Sequence, residues 1–407
     1  MAAKRKTIIF LGDGMADEPV PELGGRTPLQ AARTPAMDSI ARDGCSGTFL
    51  TLPAGYPTGS EVANMSVLGC DLAAEYGGRG PLEAAGRGVP LSPGDIAFRL
   101  NLVTVRDGRL ADYSGGHLDQ PSAEELIRAL EGRFGADSVR FHSGVSYRNL
   151  FLLHGTGYSA RISAEKPDDN HGERVEDHLP KALEPSAEPT AALLRRLMRE
   201  AGPVLEACPA NRKKDAAGKP MANGIWLWSG GRSGAFRKFR DKYGVTGAVI
   251  SAVDVIVGLG RCLGLDVIPV PGATGYVDTN YEGKADAAIQ ALKTHDFVYL
   301  HVEAMDEMSH EQNVQGKVKA LEDFDSRVIG RVLRAFGPEL NVAVLPDHPV
   351  PLVTGKHTRT PVPVAVRLAG VKPDSVCTFD EAAALQGSLG AMANGDLMTL
   401  LFDPAAE

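Results

Sequence analysis

Long hydrophobic runs are missing from this chain. No stretch approaches the ~20 consecutive apolar residues that a membrane-spanning helix needs. The first apolar run, Thr7-Ile8-Ile9-Phe10-Leu11, is too short for the core of a secretion signal. A basic surplus is missing as well: 43 Lys and Arg stand against 51 Asp and Glu, a net charge of −8. That balance argues against a nucleic-acid-binding surface. It leaves an anionic substrate open, because a local pocket of Arg, Lys or metal sets the field where such a ligand sits. Cysteine is scarce: Cys45, Cys70, Cys208, Cys262 and Cys377 are scattered, odd in number and form no Cys-x-x-Cys pair. They fit inert thiols in a reducing compartment rather than a disulfide framework. No internal repeat or low-complexity tract occurs. The expectation is a soluble, cytoplasmic protein with no nucleic-acid and no membrane partner; nothing in the sequence sets an oligomeric state.

At 407 residues the chain exceeds what one core usually holds, so two domains are expected. Short apolar runs at Thr7–Leu11, Phe297–Val302 and Val342–Leu345 read as buried strands. Helical patterns cover Ser122–Leu130, Thr190–Glu200, Ser251–Leu263, Lys284–Leu292 and Lys317–Ala335, and Asp266–Val270 reads as another strand. Alternation of this kind predicts an α/β core with a mostly parallel sheet covered by helices on both faces. The middle of the chain differs. Ala97–Val105 and Ser146–Leu153 are further strand candidates, followed by a polar, turn-rich span and then Ile225-Trp226-Leu227-Trp228. The predicted organisation is a discontinuous core, residues 1–92 and 244–407, carrying an inserted smaller α+β domain over 93–243. Trp226 and Trp228 alternate as strand residues do, so either one faces a cleft or both pack the insert's sheet.

Three predicted strands end in an acid. They give Gly12-Asp13-Gly14, then His301-Val302-Glu303-Ala304-Met305-Asp306, then Pro346-Asp347-His348. In open α/β sheets ligands bind outside the carboxyl ends of the strands, so these acids gather at one edge. Asp306 and His310 are four apart and share a face if a helix begins there. His348 adjoins Asp347, and His357 follows nine residues later on a returning loop. Imidazole mixed with carboxylate suits Zn, Mn or Fe better than calcium. Six such ligands suffice for two divalent ions, which about 4 Å apart can clamp both oxygens of an in-line phosphoryl displacement.

The candidate nucleophile is Ser60, in Pro57-Thr58-Gly59-Ser60-Glu61-Val62-Ala63-Asn64-Met65. The helical pattern after it places its hydroxyl at a helix N-terminus, where backbone N–H groups and the dipole favour phosphate. A plain helix-capping serine would look the same.

Taken together, Gly59-Ser60-Glu61-Val62-Ala63-Asn64, Asp13-Gly14-Met15, Asp306-x-x-x-His310, Asp347-His348-Pro349 and Gly355-Lys356-His357-Thr358 resemble, in content and order, the motifs of the cofactor-independent phosphoglycerate mutases of the alkaline-phosphatase superfamily. Pro271-Gly272-Ala273-Thr274-Gly275 with Asp278-Thr279-Asn280-Tyr281 resembles the shorter, archaeal-type branch. The resemblance covers nearly the whole chain and implies an alkaline-phosphatase-like core. It implies one metal held by Asp306, His310 and His357, and another held by Asp13, Asp347, His348 and Ser60. It also implies that Ser60 takes a phosphoryl group from one hydroxyl and returns it to another, with two divalent ions (Mn, Mg, Co or Zn) and a small phosphorylated hydroxy acid as substrate. The inserted domain would then hold the substrate's carboxylate and phosphate.

Two segments depart from the family pattern. Ala111-Asp112-Tyr113-Ser114-Gly115-Gly116-His117 and Ile225-Trp226-Leu227-Trp228-Ser229-Gly230-Gly231 stand where arginine-bearing stretches are usual. Both resemble a sister subgroup proposed to act as an alternative homoserine kinase, and lost arginines are not neutral at a bidentate site. The leading expectation is interconversion of 3-phosphoglycerate and 2-phosphoglycerate. A phosphotransferase acting on homoserine and a metal-dependent phosphatase are the alternatives. Candidate substrate contacts are Arg79, His117, Arg148, His171 and Arg232. Gly258-Leu259-Gly260-Arg261-Cys262-Leu263-Gly264 superficially matches a dinucleotide loop, but it ends a helical pattern instead of following a strand.

Overall fold

The run Thr7–Gly12 is buried at every position, as a strand between two parallel neighbours must be. It lies at the middle of an eight-stranded sheet in the structure, a computed structural model that describes residues 5–116 and 118–402. From edge to edge the sheet runs Asp266–Val267, Gly247–Ile250, Phe297–Val302, Thr7–Gly12, Asn341–Pro346, Val362–Arg367, Cys45–Leu50 and Gly390–Ala393. Every pairing is parallel except the two made by Val362–Arg367. On one face Ile8, Phe10, Val298, Leu300, Val342 and Val344 form a core with the helices Pro35–Arg42 and Tyr281–Thr294 and the helical stretch from Val314 to Phe336. On the other lie Ser60–Val67, buried along its whole length, and Asp254–Leu263. The latter packs tightly: a Cβ on Gly260 would sit 2.4 Å from Val249 Cγ1. That close approach, not a nucleotide, accounts for the glycine there.

The described residues divide into two compact units. One runs through Tyr76 and resumes at Ala235; the other is Gly77–Gly234. The sequence reading placed the insert's edges at 93 and 243. The difference at the first edge lies with the helix Arg79–Gly86, whose partners belong to the insert. A Cβ on Gly80 would meet Ala97 O at 2.2 Å, and Glu83 pairs with Arg99 at 3.3 Å. The insert is an antiparallel five-stranded sheet around Ile96–Arg106, which pairs with Arg109–Asp112, Arg148–Leu153 and Gly224–Gly231. The helices Gln120–Phe134 and Glu188–Glu206 contribute to its core. Trp226 and Trp228 are both buried there, donating to Glu165 O and Asn101 Oδ1.

Local differences from the sequence reading are small. The strand expected over Asp266–Val270 is two residues long. The helix expected over Lys317–Ala335 begins at Val314 and contains a π turn, Phe324–Ile329. That turn carries Asp325 inward to accept from the N–H groups of Ala36 and Met37 (3.2 and 2.8 Å) at the start of Pro35–Arg42. No helix among the described residues is long and apolar enough to cross a membrane, and the five cysteines are unpaired.

Candidate active site

Strand register builds the site. Gly12 pairs with both Val302 and Pro346, so three parallel strands end side by side. The next residues are Asp13, Glu303 and Asp347, and the Asp13 N–H donates to Val302 O at 2.9 Å. The turn after Asp13 passes against the Asp306 backbone. Gly14 has φ +61, and a Cβ there would lie 2.7 Å from Asp306 Cα, so only glycine fits.

One cluster is half open. Asp306 and His310 occupy one face of Ala304–His310, with Nε2 3.3 Å from Asp306 Oδ2. His357 Nε2 lies 3.5 Å from Asp306 Oδ1 and 3.0 Å from His310 Nε2. His310 Nδ1 sits 2.8 Å from Gly355 O, an acceptor, so that nitrogen carries hydrogen. In the neutral ring Nε2 then keeps a lone pair aimed at the cluster.

The second cluster is sealed. His348 Nε2 lies 3.4 Å from Asp13 Oδ1, 3.4 Å from Asp347 Oδ2 and 3.2 Å from Ser60 Oγ. Ser60 opens the helix Ser60–Val67 with Gly59 before it, the position the sequence predicts. Asp347 is held by the N–H groups of Gly14 (3.1 Å) and His348 (2.8 Å) on Oδ1 and by Asn64 Nδ2 (2.9 Å) on Oδ2. The two clusters adjoin: the His348 and His357 rings stack at 3.9 Å, and Asp13, Asp306 and His348 could share one ion. Asp13 Oδ1 and Asp306 Oδ1 are buried and accept no hydrogen bond. Buried carboxylate oxygens without donors, facing imidazole nitrogens, are what divalent cations require.

Electrostatics follow from this crowding. Burial, then the charges of Asp347, Asp306 and Glu303, drive the Asp13 carboxyl well above the usual carboxylate range. Asp347 is pushed up as well, by burial first. Asp306 goes the other way: burial opposes its charge, but the hydrogen bond from His310 and the charge of His357 outweigh it and hold the carboxyl low. His310 is likewise disfavoured by burial, yet Asp306 lifts it to about 9.

All seven residues of the predicted metal and nucleophile set therefore meet in one unit of the fold. Sequence reasoning missed several neighbours. Asn64 bonds Asp347 and also Ser60 O (2.8 Å), and it accepts from the Tyr299 hydroxyl. Its spacing of four from Ser60 on a helix was the available signal. His301 contacts Asp13 Oδ2 at 3.0 Å. Lys317, fully buried, pairs with Asp17 at 2.7 Å and donates to Ala16 O and Val350 O, tying the loop after Asp13 to the loop after His348.

The predicted substrate contacts lie in the other unit. Arg79 bonds Glu83 (2.9 Å), and the Arg148 guanidinium stacks over Tyr147 at 5.1 Å. His171 Nε2 lies 2.9 Å from Ala111 O. Arg232 donates to the carbonyls of Gly94 and Tyr158, contacts internal to the insert. His117 lies outside the described residues.

A family model described as 2,3-bisphosphoglycerate-independent phosphoglycerate mutase matches residues 41–211. A Methanosarcina acetivorans protein of that name is 48% identical over 400 residues, 97% of this chain and 99% of the relative. A solved Pyrococcus horikoshii protein superposes with TM-score 0.82 at 30% identity, covering 98% of this chain and 97% of that one. The cofactor-independent phosphoglycerate mutase of Thermoplasma acidophilum gives TM-score 0.66 at 29% identity, with 98% of each chain covered. With the serine, the acids and the histidines gathered as described and the likeness running the length of the chain, this protein belongs to the 2,3-bisphosphoglycerate-independent phosphoglycerate mutase family.

Proposed function

We propose that the chain interconverts 3-phosphoglycerate and 2-phosphoglycerate by passing the phosphoryl group through Ser60. The observation that carries this reading is the position of Ser60 Oγ, buried at a helix start and 3.2 Å from His348 Nε2, within the Asp13–Asp347–His348 cluster. The names of the relatives favour it over the homoserine phosphotransferase. Two divalent ions, Mn, Mg, Co or Zn, would be held by Asp306, His310 and His357, and by Asp13, Asp347, His348 and Ser60. When bound, they supply positive charge that acidifies the serine hydroxyl and offsets charge on the transferring group.

The chain's own residues do the rest. The Ser60–Val67 helix aims its first N–H groups and its positive end at the phosphate. Asn64, anchored to Ser60 O and Asp347 and accepting from Tyr299, holds nucleophile and carboxylate in one register. Ser60 Oγ gives up its proton and bonds to phosphorus as the bond from phosphorus to the substrate oxygen breaks, and that departing oxygen gains a proton. In the return step the neighbouring hydroxyl loses one and takes the phosphoryl group back. The cycle is neutral in protons and needs no second phosphate donor. We place this work in the cytoplasm, on a small phosphorylated hydroxy acid. The candidate contacts for that substrate remain Arg79, His117, Arg148 and His171, and Arg232, whose donors serve backbone carbonyls, is the weakest of them.

The test is formation of 2-phosphoglycerate from 3-phosphoglycerate with Mn²⁺, coupled to enolase. The expected result is turnover without added bisphosphoglycerate. ADP release from ATP and homoserine, with no mutase signal, would replace this reading by the kinase. Free phosphate from many esters would replace it by a phosphatase.

A further inference from the structure

Among the described residues, Asp13, His301 and Glu303 are close enough to hold an ion of their own. The hydrogen bonds around His301 assign it another part. Asp13 Oδ2 lies 3.0 Å from His301 Nε2; a carboxylate that binds a cation is ionised and can only accept, so with Asp13 as a ligand Nε2 carries the hydrogen. The other ring nitrogen, Nδ1, lies 3.2 Å from Ser251 Oγ. That oxygen already accepts from the Val253 N–H at 3.0 Å, and its own hydrogen is directed to Nδ1. A nitrogen that donates to Asp13 has no lone pair left for a cation.

We propose that His301 is a positioning residue for the catalytic metal site. It receives a hydrogen bond from Ser251 and passes one to Asp13 Oδ2, fixing the carboxylate so that Oδ1 faces His348 and the ion. The support crosses three adjacent strand ends, since Ser251 follows Gly247–Ile250, His301 lies in Phe297–Val302, and Asp13 follows Thr7–Gly12. It is held from below as well, because the His301 carbonyl accepts from the buried ammonium of Lys284 at 3.2 Å. His301 is fully buried, so water does not compete for either ring nitrogen. The proposal rests on Asp13 being a metal ligand.

The experiment titrates Mn²⁺ into metal-free protein by calorimetry, with elemental analysis for stoichiometry and a melting curve for each variant. His301→Leu is expected to weaken one of two ions by about 10–100-fold, the usual effect of removing a ligand's hydrogen-bond partner, and to spare the other. His301→Gln, whose amide N–H reaches the place of Nε2, should recover affinity to within about threefold of wild type, and Ser251→Ala should lose about threefold, the scale of one neutral hydrogen bond. Two ions bound at wild-type strength by His301→Leu would overturn the proposal. So would a glutamine variant as weak as leucine, or a third ion in the wild type that His301→Leu loses. If His301→Leu does not fold, the glutamine and Ser251→Ala variants decide: affinity unchanged in Ser251→Ala, or glutamine weaker than leucine's expected range, overturns it. Asp13→Asn separates the two layers. If that variant keeps both ions at full strength, the ligand assignment itself falls, whatever His301 does.

Discussion

The two ligand clusters differ in how they carry charge. In the sealed one, Asp13 and Asp347 are both buried, and burial raises both carboxyls, so the site resists carrying both negative charges without a cation. In the half-open one, Asp306 stays ionised against a His310 raised to about 9, so the proton sits on imidazole. The same chemistry, acid beside histidine, shifts the carboxyls in opposite directions, because one cluster has two crowded carboxylates and the other has two imidazoles around one. On the proposed function, an ion in the sealed cluster would be the one beside Ser60 Oγ, which lies 3.2 Å from His348 Nε2.

Four changes break or sharpen that contrast. Ser60→Ala should remove the nucleophile and lower kcat by about 10⁴-fold or more, while calorimetry still finds metal at the open cluster. Asp347→Asn should cost more than the 10–100-fold typical of an outer hydrogen-bond partner, and excess Mn²⁺ should not restore activity. His310→Ala, at the exposed end, should cost less, and activity should return as Mn²⁺ is raised. Equal behaviour of these two variants in a metal-activation curve would erase the distinction between the clusters. pH gives a further handle beside the substitutions. A metal must displace the His310 proton, so affinity at the open cluster should fall by up to about tenfold per unit as pH drops below about 9. In the metal-free fold the sign is reversed. A raised imidazole pKa means that the His310–Asp306 pair stabilises fully below the ordinary histidine range and is lost as pH rises through about 9. Melting curves of metal-free protein across that window check it. The smallest effect is expected from Tyr299→Phe, which leaves Asn64 Oδ1 without its donor: about 1 kcal/mol of stability and a few-fold in kcat, by denaturant titration and the coupled assay.

What the sequence made legible were residues whose place follows from the ends of elements. Asp13, Asp306 and Asp347 follow apolar runs, and parallel pairing puts such ends together whatever the loops do. Ser60 and Asn64 sat within one motif, but only the serine advertised chemistry; Asn64 needs the third dimension to reach Asp347. His301 was hidden for another reason. It lies inside a buried strand, where a histidine reads as part of the core, and its meaning comes from the register that sets Leu11 beside it. Lys317 read as the polar start of a helix, and nothing local says that the ammonium turns inward to Asp17. The insert's edge at Gly77 was missed because Arg79–Gly86 adjoins the core in sequence, while its partners, Ala97 and Arg99, come later in the chain.

The central claim is that Ser60 carries the phosphoryl group. Acid-quenching the enzyme during turnover of 3-phosphoglycerate and mapping its peptides by mass spectrometry tests this most directly. The account predicts a phosphorylated peptide with the added group on Ser60, absent without metal and absent in Ser60→Ala. Rapid turnover with the group on another side chain, or undiminished turnover in Ser60→Ala, would contradict it.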